Sequence, residues 1–357
     1  MKRKTESGER GAGSVNCDPK GRPKETIPEV QSGNGGKGME YTKLGKSDLM
    51  VSRIGFGCWA MANDAQWGPI DEEEAIRAVH MAIAEGVNFF DTAEGYGNGH
   101  SEEVLGRALG GRRDQVLVAT KVIGEHLSGD QVPKALEASL RRLGTDYVDL
   151  YQIHWPNRSV PFEETMEALS RLKTQGKIRS IGVSNFGVGD LTEVVQYGAV
   201  DSDQLPYSLF WRAIEASIVD VCLREDIGII CYSPLGQGLL TGKFKKRGDI
   251  PEGNRTRTRL YADEALALAF PALEQLRALS ERLHATVAQV SLAWLLSRPG
   301  VTTVIAGAKN RRQFADNVGA VRVHLEEDDL NALGALSQPL YDFLGDDPDM
   351  WGGHRYR

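Results

Sequence analysis

Four chemically unlike side chains stand near the ends of apolar runs in this sequence. Asp91, Lys121 and His154 recur about every 30 residues, close to one strand–helix repeat, and Ser184-Asn185 continues the series. Tyr96 stands five residues after Asp91, between Gly95 and Gly97. Together they are the parts of a proton-transfer device. A phenol's ordinary pKa of about 10 is too high for easy proton donation at neutral pH. A nearby ammonium favours the phenolate and lowers that value, and a carboxylate beside the lysine keeps the lysine charged and in place. A histidine near the phenol can hydrogen-bond a carbonyl oxygen and orient it. The set offers no activated Ser or Cys nucleophile and no metal-ligand spacing. Each residue alone has a blander reading: a helix cap for Asp91, a solvated loop lysine for Lys121, a structural histidine for His154. Their recurrence at successive strand ends favours the chemical reading.

The elements that must bring them together alternate. Strands are predicted at "VSRIGFGCW", "VNFFDT", "QVLVATKV", "DYVDLYQIHW", "KIRSIGVSNF", "DSDQLPYS", "IGIICYSPLG" and "VTTVIAGAK". Most are continuous Val/Ile/Leu-type runs, as strands covered on both faces require. Each is followed by helical periodicity, as in "DEEEAIRAVHMAIAEG" (71 to 86), with an acidic first turn and a glycine stop, and in a helix predicted to start at Ser101. Eight βα units fit a TIM-type barrel or a large doubly wound sheet. No linker splits them, so the prediction is an α/β fold, one (β/α)8 barrel over residues 39–357 with a C-terminal loop. In such a barrel the strand ends meet at one face, and Asp91, Tyr96, Lys121 and His154 become neighbours. Residues 1–38, nearly free of apolar side chains, are expected to be a disordered N-terminal leader.

Composition narrows the function classes. The 357 residues are 41% hydrophobic and 25% charged, with a formal net charge of −7. That balance argues against a non-specific nucleic-acid binder, which needs clustered Lys and Arg. No run approaches the ~20 apolar residues of a membrane span. Cys17, Cys58, Cys222 and Cys231 show no CxxC or zinc spacing, so free thiols, no metal and a cytoplasmic location are expected.

Protonating a carbonyl oxygen is half of a reduction, so a hydride source is required. "GFGCWA" (55 to 60) matches a dinucleotide fingerprint in letters only, because "MANDAQWGP" does not read as the helix that would hold a pyrophosphate. No tyrosine is followed four residues later by lysine, which removes the YxxxK pair of short-chain dehydrogenases. The motifs "FDTAEGYGNGHSEEVLGRAL", "VATKV", "GTDYVDLYQIHWP", "GKIRSIGVSNF", "QLPYSLFWR", "YSPLGQGLLTGK" and "VIAGAKNRRQFADN" occur in order from Met39 to about Leu336. In them the chain resembles the aldo-keto reductase superfamily, in the bacterial and plant branch related to potassium-channel β subunits.

That resemblance implies a catalytic tetrad of Asp91, Tyr96, Lys121 and His154, with Tyr96 as proton donor to an aldehyde or ketone and hydride from NADP(H). It implies that Ser184, Asn185 and Gln204 hold the nicotinamide carboxamide and that Tyr232 stacks on the nicotinamide ring. Ser233, Pro234, Leu235, Gly236 and Gln237, with Lys243, fall on the pyrophosphate loop. Gly307, Lys309, Gln313, Asp316 and Asn317 fall on the adenosine site, and Cys58, Trp59 and Asp91 are counted with the cofactor contacts. Many strictly NADPH-using relatives carry Arg at the position of Gln313. Lys309, Arg311 and Arg312 are alternative cations for a 2′-phosphate, so NAD(H) stays open; the bland reading of Arg311-Arg312 is a solvated helix face. Tyr96, His154, Trp59 and Trp155 are the expected substrate contacts. Trp67, Phe210 and Trp211 are further candidates for walls of the mouth, and "YDFLGDDPDMWGGHRYR" is expected to fold over it. The expected partner is a small carbonyl compound, with no nucleic acid and no membrane. Two other readings remain: a cofactor-binding regulatory subunit with little turnover, and a Schiff-base barrel enzyme with Lys121 as nucleophile.

Overall fold

The computed structural model describes the backbone of residues 30–32 and, in full, residues 38–62, 71–308 and 310–357. Apart from 30–32 and Gly38, the expected leader lies outside the described residues, as do Cys17, Trp67 and Lys309.

Eight parallel strands close into a barrel: β1 (Ile54–Gly57), β2 (Phe89–Asp91), β3 (Leu117–Val122), β4 (Val148–Ile153), β5 (Ile178–Ser184), β6 (Ser202–Pro206), β7 (Gly228–Tyr232) and β8 (Val301–Ala306). They pair in chain order, and β8 closes on β1 through Val304↔Ile54, Ile305↔Gly55 and Ala306↔Phe56. Around them run α1 (Glu72–Ala84), α2 (His100–Ala108), α3 (Gln131–Leu143), α4 (Phe162–Thr174), α5 (Val188–Val194), α6 (Ile218–Arg224), α7 (Asp263–Arg282), α8 (Val287–Leu296), α9 (Arg311–Val318) and α10 (Glu327–Leu344). Local chemistry sets several boundaries. Asp71 caps α1 by accepting from the Glu74 amide at 3.0 Å, and Thr286 and Gln289 form a capping box on α8. Gly144, at φ +64°, ends α3.

Three predicted elements differ in detail. The run "VSRIGFGCW" is two strands, because the chain turns at Arg53. Met50–Ser52 belongs to a small antiparallel sheet with Glu40–Lys43 and Val30–Ser32, while β1 enters the barrel. The buried Arg53 guanidinium fixes the turn by donating to the carbonyls of Thr302 (2.9 Å), Val301 and Leu296. After β7, helix resumes only at α7; the interval holds short single turns, with Ser233, Gln237 and four glycines at positive φ. Helix α2 begins at His100, and Ser101 is no cap. Its hydroxyl is buried, close to Thr92 Oγ1 (2.9 Å) and donating to the Cys58 carbonyl (2.9 Å).

Apolar packing fills the layer between barrel and helices, with a separate cluster inside the barrel at its N-terminal end. There Leu44, Leu49 and Val51 meet Phe89, Ala119, Leu150 and Ile230. Among the described residues no helix is long and apolar enough to cross a membrane. Among them, too, no three His, Cys, Asp or Glu side chains gather as a metal site would need.

Candidate active site

At the C-terminal end of the barrel the interior is polar. Lys121, fully buried on β3, uses all three ammonium hydrogens: to Asp91 Oδ1 at 2.6 Å, to the Thr92 carbonyl at 2.9 Å and to the Tyr96 hydroxyl at 3.1 Å. The other Asp91 oxygen accepts from Gln204 Nε2 (2.8 Å) and Gln152 Nε2 (3.1 Å). Gln152 crosses the barrel because Gly182 makes room; a Cβ there would lie 2.5 Å from Ser202 Oγ and 3.0 Å from Gln152 Cγ. Sequence reasoning passed over Gln152, a lone amide in an apolar strand. Its only signal is that it pairs in register with Lys121.

Tyr96 reaches the mouth on a turn that demands glycine at one side. Gly97 has φ +59°, and a Cβ there would meet the Ala62 carbonyl oxygen at 2.1 Å. His154 follows β4, its ring edge-on to Tyr96 with centroids 5.6 Å apart. Trp59 lies on the other side, 6.0 Å from Tyr96.

The electrostatics follow from burial. Burial raises the Tyr96 pKa above the ordinary phenol value; Lys121 pulls the other way, and Asp91 adds to the rise. The expected effect of the ammonium is present, but desolvation exceeds it, so the phenol is protonated rather than poised as a phenolate. Burial opposes the charge on Lys121, yet Asp91 and Tyr96 hold its pKa above the usual lysine range. Burial, reinforced by Lys121, depresses His154 to about 3, which leaves a neutral imidazole at pH 7. Because Lys121 donates to the phenol oxygen, the Tyr96 hydrogen must point elsewhere, into the space shared with His154.

That space is the mouth of a cavity of about 840 Å³. Asp91, Tyr96, His154, Trp59 and Trp155 border it, with Ser184, Asn185 and Gln204 on one wall. It continues past Tyr232, Ser233, Pro234, Leu235, Gln237 and Lys243 to Gly307, Gln313, Asp316 and Asn317. Thus the structure gathers most of the predicted residues along one trough. Others stand off it. Cys58 is fully buried, its thiol facing the Phe56 carbonyl. Gly236 forms the turn behind the wall, its carbonyl accepting from Tyr261 (2.9 Å). Lys121 lies beneath the surface, and Phe210 and Trp211 are packed away, the Trp211 indole donating to the Pro348 carbonyl at 3.3 Å. Arg311 is turned to Glu74 of α1 (3.2 Å).

The trough also has contributors that no motif announced: Asn254, Arg255 and Arg257, from the long segment after β7. Trp351, Gly353 and Arg355 come from the tail that was expected to fold over the mouth. Among the described residues, the Gln237 amide, Asn254 Nδ2 and Arg255 Nε are buried with no hydrogen-bond partner. Buried polar atoms left unpaired on a cavity wall suit a polar ligand lying along it.

A parallel (β/α)8 barrel with a buried acid–lysine pair, a protonated phenol and a neutral imidazole at its mouth defines a class: barrels able to place a proton on a ligand's oxygen. The aldo/keto reductase family model matches residues 53–338, and the chain belongs to that family. It is 34% identical over 325 residues to an NADH-specific methylglyoxal reductase of Escherichia coli, covering 85% of this chain and 99% of that one. It is also 34% identical to a probable voltage-gated potassium channel subunit beta of Arabidopsis thaliana, over 80% of this chain and 92% of the other. Among solved structures, an aldo-keto reductase from Klebsiella pneumoniae in complex with NADPH superposes with a TM-score of 0.67 at 31% identity. That match covers 81% of this chain and 92% of the other.

Proposed function

We propose that this protein is an NADP(H)-dependent oxidoreductase that reduces aldehyde and ketone carbonyls to alcohols, reversibly, in the cytoplasm, with Tyr96 as the proton donor. The observation that carries this reading is the hydrogen-bond direction at Tyr96. A buried ammonium donates to its oxygen, so the phenol's own proton faces the cavity beside a neutral His154. The nicotinamide, when bound, supplies the hydride. Within this reading His154 donates an N–H to the carbonyl oxygen, and Asp91 keeps Lys121 charged. Lys121 stabilises the phenolate left after proton transfer, at a place where Gln152 and Gln204 hold Asp91 fixed. A lysine whose three hydrogens are all engaged has no lone pair for a Schiff base, which weighs against that rival.

Ser184, Asn185 and Gln204 would hold the carboxamide, with Tyr232 beside the ring. Ser233, Pro234, Leu235 and Gln237 with Lys243 would face the pyrophosphate, joined by Asn254 and Arg255. Gly307, Gln313, Asp316 and Asn317 would face the adenosine, and Lys309, outside the described residues, is proposed for the same group. Trp59 and Trp155 would wall the substrate. NADPH in the Klebsiella neighbour supports the phosphorylated cofactor. NAD(H) is the second candidate, because Arg311 is committed to Glu74 and the E. coli relative is NADH-specific. The test is Tyr96→Phe. Turnover of 4-nitrobenzaldehyde should fall by ~10²–10⁴-fold with cofactor affinity retained; near-normal turnover would overturn the proton-donor role. The likeness to a channel β subunit supports a second reading, a cofactor-binding subunit, which predicts NADPH binding with negligible turnover in the wild type.

A further inference from the structure

Residues 345–357 lie across the mouth, and the way they are fastened has a consequence for the site beneath. Trp351 packs edge-on to Trp59 (6.3 Å). Arg355 stacks 3.5 Å over Trp155 and forks onto the fully buried Asp349 at 2.8 and 2.9 Å. Arg158 ties the segment down from outside, donating to the Arg355 carbonyl (2.9 Å) while paired with the buried Asp190. The Arg357 main chain lies in a groove floored by two glycines. A Cβ on Gly187 would stand 2.3 Å from the Arg357 carbonyl oxygen, and one on Gly189 would stand 3.1 Å from its carbonyl carbon. Between these fastenings, the Tyr356 hydroxyl donates to Asn185 Oδ1 at 2.8 Å.

Asn185 is saturated in this arrangement. Its amide nitrogen donates to the His154 carbonyl and to Ser184 Oγ, both at 3.0 Å. Its oxygen accepts from Tyr232 (2.9 Å) and Tyr356 (2.8 Å), which uses both lone pairs. For the amide to turn and offer another edge, all four of these hydrogen bonds would have to break. A ligand amide arriving at Asn185 finds no acceptor until one phenol leaves. Tyr232 ends a barrel strand; Tyr356 is on a segment without regular structure, and is the one able to move.

We propose that Tyr356 is a plug of the cofactor site: the docked tail and the nicotinamide amide compete for Asn185 Oδ1, so seating the dinucleotide releases the tail. This rests on the reading above that the carboxamide binds at Asn185. Tail docking and cofactor binding are then linked, and the apparent affinity is lowered by the fraction of molecules with the tail docked.

The test is equilibrium binding of NADPH and NADH to the full chain by fluorescence, without substrate. Tyr356→Phe removes one hydroxyl and keeps the ring against Trp155; the dissociation constant should tighten by about three- to tenfold. Gly187→Ala, whose Cβ would displace the Arg357 carbonyl while the Asn185 side chain keeps its identity, should tighten it likewise. In the wild type, tryptic cleavage after Arg355 should accelerate when NADPH is added. Unchanged or weaker binding in Tyr356→Phe overturns the proposal, as does cofactor-independent cleavage of the wild type. If neither dinucleotide binds wild type or variants, the functional reading itself fails, and the plug with it.

Discussion

At the N-terminal ends of the barrel strands, Leu44, Leu49 and Val51 close on Phe89, Leu150 and Ile230; at the other end of the same barrel, Lys121 closes on Asp91, Thr92 and Tyr96. Both ends are buried, but different physics holds them. The apolar end gains free energy in proportion to the surface it hides from water. The polar end loses hydration on every group it hides and recovers it only through hydrogen bonds with correct partners. The first tolerates variation in shape; the second fails when any one partner is removed. A barrel interior can thus be sealed at one end by a hairpin, leaving the other end to carry charge that would be unaffordable without fixed partners.

Three changes probe that contrast, taken from the largest effect down. Lys121→Met leaves Asp91 buried with no cation, and should cost about 3–5 kcal/mol of stability together with nearly all turnover. Urea unfolding is the measurement, and a loss under 1 kcal/mol would mean that the mouth is not held by this pair. Leu49→Ala opens a hole in the apolar end and should cost about 2–5 kcal/mol, with KM and kcat of the surviving fraction unchanged. A change in KM would show that the two ends are mechanically coupled. The third effect is confined to the acid limb of the pH profile. His154 has a folded pKa of about 3, below its unfolded value of about 6.5, so its neutral form favours the fold. The stability this gives is complete above about pH 6.5 and is lost as pH falls towards 3, by up to ~1.4 kcal/mol per unit. His154→Gln should therefore flatten the acid limb of the unfolding midpoint between pH 6.5 and 4, whereas Leu49→Ala should shift the whole curve without altering its slope. Equal slopes in wild type and His154→Gln would remove His154 as the cause.

Much of the candidate site was legible because βα periodicity converts sequence spacing into proximity. Asp91, Lys121 and His154 lie within one residue of successive strand ends, and Tyr96 follows the first of them, so closure alone brings them together. Gln152 was not legible, because its reach to Asp91 depends on the absence of a side chain at Gly182 on the neighbouring strand. Nor was the engagement of Arg311, which depends on Glu74 across two helices. The net direction of the Tyr96 shift was also hidden. Pairwise reasoning gives the pull of Lys121, whereas burial, which outweighs it, is a property of everything packed around the phenol.

The sequence by itself determined the order of strands and helices, the groups that meet at the mouth and the family to which the chain belongs. These depend on local pattern and on residue type. The tertiary structure alone decided that the phenol stays protonated, that the amides of Gln152 and Gln204 share one carboxylate oxygen, and that Tyr356 rests on an asparagine 171 residues away. Each of these depends on burial or on contact between segments remote in the chain, which spacing along the sequence does not encode.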